Sequence, residues 1–104
     1  LSPAGRQQLQ RILDLKRQIA GTERDLRDTD QEIEALSKDQ SRLRQNIESL
    51  NQVPNQQQQV QLYARQLADQ ETRIASLRDR RAQLQTRRNQ LTAEAAKLIE
   101  TAEF

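Results

Sequence analysis

Two clusters of charged side chains are the first places to look for chemistry. Asp25, Asp28, Asp30, Glu32 and Glu34 form the densest run of carboxylates, the residue type that holds divalent cations or moves protons. Arg73, Arg78, Arg80, Arg81, Arg87 and Arg88 form the densest run of cations, the type that grips phosphate backbones. Neither run has the spacing its chemistry needs. Alternate positions on a helix point in different directions, so the carboxylates do not converge on one point. The arginines lack neighbouring aromatic rings on which a base could stack, because Tyr63 and Phe104 are the only aromatic residues. With neither Cys nor His, thiolate and imidazole chemistry are excluded. No phosphate-binding glycine loop, nucleophile elbow or dinucleotide fingerprint occurs. The expectation is a non-enzyme with no catalytic residue, no metal site and no cofactor.

The elements that carry these residues are long helices. Of 104 residues only 34% are apolar while 31% are charged, and Gly and Pro occur twice each. That profile suits extended helix and leaves too little apolar material for a thick core. A net charge of +2 gives no global field calling for an acidic partner. The longest apolar stretch is a few residues, too short to span a bilayer or serve as a signal peptide, so no membrane insertion is expected of this segment. The chain has no Met and opens Leu1-Ser2-Pro3, which reads as a fragment of a larger protein.

From Ser2, a fitting N-cap with Pro3 at the first helical position, apolar residues recur every seven. The a positions are Ile12, Ile19, Leu26, Ile33, Gln40 and Ile47, and the d positions Leu15, Thr22, Thr29, Leu36, Leu43 and Leu50. Pro54 has no N–H and biases Val53 away from helix, so the pattern breaks there. Asn55, with Gln58 three residues on, offers a cap for the next helix. A second repeat has Val60, Leu67, Ile74, Arg81, Arg88 and Ala95 at a, and Tyr63, Gln70, Leu77, Leu84, Leu91 and Leu98 at d. The predicted fold is all-α: a single antiparallel two-helix coiled-coil hairpin over 1–104, with helix 3–51, turn 52–55 and helix 56–100. Gly21 weakens the first helix by roughly 1 kcal/mol relative to Ala without ending it. Helices of about 45 residues give an arm of roughly 65–70 Å.

One register places apolar against apolar at Leu50/Val60, Ile47/Tyr63, Leu43/Leu67, Leu36/Ile74, Ile33/Leu77, Leu26/Leu84, Ile19/Leu91, Leu15/Ala95 and Ile12/Leu98. The polar interruptions then meet each other at Gln40/Gln70, Thr29/Arg81 and Thr22/Arg88. A slip of one heptad sets polar against apolar, at about 1–3 kcal/mol for each buried mismatch. Flanking positions fit the same register, with Asp25/Arg87, Glu32/Arg80, Asp39/Arg73 and Asp30/Arg78 as expected ion pairs and Leu9/Ile99 as an apolar pair at the open end. Such pairs favour one pairing over others more than they stabilise it.

Two surfaces are candidates for recognition. The bend offers Val53, Pro54, Asn55, Gln56 and Gln57 as an interaction tip, where a partner would first meet an arm. Arg81, Arg87 and Arg88 form a candidate basic patch, though most arginines of that stretch have expected acidic partners. The expected partner is another protein or the rest of the parent chain. Outward-facing Leu13, Ala20, Leu62, Ala68, Ala75 and Ala82 are scattered or small and make no second strong apolar stripe. An isolated helix pair is thin, however, so a homodimer in which two hairpins join along the Ala-bearing side into a four-helix bundle is a further expectation.

The segments Asp39-Gln40-Ser41-Arg42-Leu43-Arg44-Gln45-Asn46-Ile47, Leu62-Tyr63-Ala64-Arg65-Gln66-Leu67 and Gln70-Glu71 carry a resemblance. The region 9–100 resembles the C-terminal helical hairpin of large bacterial proteins of unknown function whose sequences suggest export. That likeness implies a helical arm on a multidomain, exported protein and no activity. The leading function is a structural or protein-interaction arm. The alternatives are a nucleic-acid-binding arm using the Arg-rich second helix, similar in architecture to that of seryl-tRNA synthetases, and a periplasmic adaptor-type hairpin docking a partner through its tip.

Overall fold

The computed structural model describes Leu1–Glu103. It is all-α, a hairpin of helix α1 (Pro3–Leu50) and helix α2 (Gln57–Thr101). Ser2 starts α1 as its composition demands. The Ser2 Oγ accepts from the Gly5 N–H at 3.0 Å, and its carbonyl accepts the first helical bond from Arg6. The hydroxyl satisfies one of the amides that a helix start leaves open, and Pro3 has no amide to satisfy. Neither helix has an acid in its first turn or a base in its last, so both ends depend on hydrogen bonding rather than on charges set against the helix dipole.

Residues 29–80 form one compact unit around the turn. Its buried positions are those of the seam: Thr29, Gln40, Leu43, Ile74 and Leu77, with Ile33, Leu36, Ile47, Leu50, Val60, Tyr63, Leu67 and Gln70 half-buried. Two hydrogen bonds fix the pairing at its centre. Gln40 Nε2 donates to Glu71 at 2.8 Å, and Gln70 Nε2 donates to Asp39 at 2.6 Å. The two glutamines share a layer, yet each sends its amide to a carboxylate beside the other glutamine. A carboxylate accepts more strongly than a neutral amide oxygen, which is the physical reason.

The expected ion pairs change rung within this unit. Arg73 bonds Glu32 through both Nε and Nη2, at 3.0 and 2.8 Å, in place of the expected Asp39/Arg73 and Glu32/Arg80. Asp39 instead takes Arg42 of its own helix at 2.8 Å. Arg44 reaches Glu71 at 3.6 Å, and among the described residues Arg78 makes no ion pair with Asp30. Faces are respected but rungs are not. A long flexible guanidinium reaches along the helix surface, and exposed pairs gain too little from one rung over the next to be held there.

Residues 1–28 together with 81–103 form the second unit. Leu15, Leu91 and Ala95 make its buried cluster, with Ile19 and Leu98 packed against it. Ile12 and Leu26 are also buried. Thr22 is buried with its hydroxyl donating to its own helix at the Gln18 carbonyl, 2.8 Å, so it asks nothing of half-buried Arg88 opposite. Arg87 donates to Gln18 at 3.1 Å, Asp25 is itself engaged, and Arg11 pairs with Glu94 at 2.7 Å. The seam continues one layer beyond the sequence expectation: Gln8 and Ala102 are both half-buried, and Gln8 Oε1 accepts from the Glu103 amide at 3.0 Å.

Candidate docking tip

The turn is built by the loss of one backbone donor. Pro54 cannot supply an amide, and the preceding carbonyls close tight turns instead: Gln52 donates to Ser49 and Val53 to Leu50, at 3.3 and 3.0 Å. Asn55 has φ 65°, the left-handed region that Asn tolerates better than most residues. Its expected role as cap passes to Gln56, whose carbonyl accepts the first bond of α2 from Val60 at 3.0 Å. Asn55 cannot cap from a left-handed backbone, because an N-cap residue needs extended dihedrals. The chain therefore leaves α1 at Leu50 and enters α2 at Gln57.

All five residues named for the tip, Val53, Pro54, Asn55, Gln56 and Gln57, line one open groove of about 490 Å³. Leu50, Asn51, Val60 and Gln61 complete it. Sequence pattern places Leu50 and Val60 in the seam, and nothing in it marks Asn51 or Gln61. A second groove, of about 390 Å³, is lined in part by Ser49 and Tyr63. Tyr63 is half-buried on the seam. Val53 and Leu62 stand 49% and 53% exposed, large fractions for apolar side chains.

What sets this end apart is an absence of charge. From Ser49 to Ala64 no residue is Asp, Glu, Lys or Arg, in a chain that is 31% charged. The helix dipoles add little, since the negative end of α1 and the positive end of α2 meet there. The groove can therefore offer amide donors and acceptors with a few exposed methyl groups, but no carboxylate or cation for acid–base work or for phosphate binding.

The basic patch is divided in the structure. Arg81 is exposed and engaged, Arg87 bonds Gln18, and Arg88 is half-buried on the seam. Among the described residues no three carboxylates lie close enough to hold a metal ion, and no helix is long and apolar enough to cross a membrane. Comparison with protein-family profiles, with curated proteins and with solved structures gives no match.

Proposed function

We propose that the chain is a non-catalytic protein-interaction arm of a larger protein that meets a partner protein through its charge-free turn. The observation that carries this is the uncharged stretch Ser49–Ala64 around an open groove with Val53 and Leu62 exposed. Charge is what keeps a helical hairpin soluble and apart from neighbours, so a long stretch without it has a cost that a binding surface explains. Neutral, amide-rich surfaces with exposed methyl groups suit contact with another polypeptide, where desolvating the groove removes no charge from water. An exported bacterial parent protein, as the family resemblance implies, is consistent with an arm of this kind.

The test places a photo-crosslinking residue at Val53 in the parent protein, with the same residue at exposed Arg17 as control. One defined partner is expected from position 53 and not from position 17. Leu62→Asp should abolish that product while helical circular dichroism is unchanged. Undiminished crosslinking in this variant refutes the tip as the docking point. Binding to tRNA or duplex DNA that weakens steeply with salt would move the function to the arginines of α2.

A further inference from the structure

The second unit carries a face that neither its own seam nor the turn uses. Along α1 the outward stripe at alternating steps of three and four residues reads Leu13, Lys16, Ala20 and Glu23. Along α2 the matching stripe from Ala82 to Ile99 includes Thr92 and Ala96 and contains no charge. Between the stripes runs an open groove of about 480 Å³ floored by Ile19 and Ala95. Ile99, which lines it, is 49% exposed, and Leu13 on the α1 stripe is 41% exposed. Among the described residues Lys16 and Glu23 have no ion-pair partner within the chain.

We infer that this face docks a second copy of the chain, the two α1 helices antiparallel about a two-fold axis crossing Ala20. The placing of the charges carries the inference. Lys16 and Glu23 are opposite in sign, seven residues apart on one stripe, with Ala20 between them. A two-fold axis at Ala20 sets Lys16 of each copy against Glu23 of the other, and it repeats that pairing by symmetry. Ala20 lies on the axis, where helices approach most closely and only a small side chain fits. The same operation carries α2 onto α2, so that Ile99 of one copy falls at the level of Ala82 of the other, a large side chain over a small one. The side-by-side arrangement about an axis parallel to the helices satisfies neither charge, because there Lys16 and Glu23 meet the neutral stripe of α2.

The test uses the intact chain in analytical ultracentrifugation at low salt. Lys16→Glu and Glu23→Lys each oppose like charges at both symmetric sites and should weaken the dimer by about tenfold. The double reversal restores opposite signs and should bring the affinity back to near that of the starting chain. Because the chain has no Cys, Ala20→Cys gives a single thiol on the axis, and it should form an interchain disulfide on oxidation. Ile99→Asp should dissociate the dimer without loss of helicity, whatever becomes of the tip. A chain that stays monomeric at high concentration, or a double reversal no better than the single ones, overturns the assignment. A dimer that forms while the Ala20→Cys thiol fails to crosslink does so too.

Discussion

Gln70 donates its side-chain amide to Asp39 at 2.6 Å, and in doing so turns its own Oε1 into a buried position with no hydrogen-bond partner. Gln40, in the same layer, donates to Glu71. One layer thus locks register through two crossed bonds and leaves one acceptor unmet.

Replacing both glutamines with Leu should raise stability and loosen register together. Removing a buried unmet acceptor and gaining apolar packing is worth about 1–3 kcal/mol, seen as a higher urea midpoint. A disulfide between Ile33→Cys and Leu77→Cys should form in high yield with the glutamines present, and in lower yield once both are Leu. Unchanged yield would show that the layer does not specify pairing.

Acid should weaken the same layer. The Asp39 carboxyl is held below the usual carboxylate range, first by the hydrogen bond from Arg42 and next by that from Gln70, with burial opposing. A carboxyl depressed on folding contributes stability that is present above its unfolded pKa and is lost as pH falls through its folded pKa. The urea midpoint of the chain should therefore exceed that of Asp39→Asn near neutral pH, and the two should converge below the carboxylate range. A gap of constant size across that range would exclude the ionised group as the source.

Gly21 is an avoidable weakness in α1. Its φ is negative, and an added Cβ would meet only the Arg24 Nη2 at 3.8 Å, an ordinary contact. Gly21→Ala should stabilise the chain by about 1 kcal/mol through lost freedom of the unfolded backbone. Thermal melts followed by circular dichroism measure it, and a lower midpoint would contradict the open space.

Asn55 is the opposite case. At φ 65° a β-branched residue is strained by about 1–2 kcal/mol, so Asn55→Val should lower the unfolding midpoint while Asn55→Gly leaves it equal or higher. Equal effects of the two substitutions would mean that the turn does not need its left-handed backbone.

The seam was legible because burial in a two-helix pair reduces to one repeating stripe: Leu15, Leu43, Ile74 and Leu91 are buried as their spacing requires, and Ser2 caps α1 as its type requires. The rung each arginine chooses was not legible. Arg73 reaches Glu32 rather than Asp39, because an exposed guanidinium on a flexible stem has several carboxylates within reach and little energy separating them. The Gln8/Ala102 layer was missed because a lone Gln carries no apolar signal, although its amide oxygen meets the Glu103 N–H. Asn55 was misplaced by one residue, since Asn serves equally as a cap and as a left-handed hinge. At the tip the five named residues share a groove, but Asn51 and Gln61 join it only through the path of the turn.

The crossed bonds of Gln40 and Gln70 have a consequence for how such a chain can change over evolutionary time. Inserting a single heptad into one helix alone, between the glutamine layer and the turn, would strand both amides opposite apolar side chains, and every layer from the insertion outward, away from the turn, would lose its mate. Equal seven-residue insertions on both sides keep each mate in place. Length is therefore free to vary only in duplicate, as with a zip fastener, which closes only when teeth are added to both tapes.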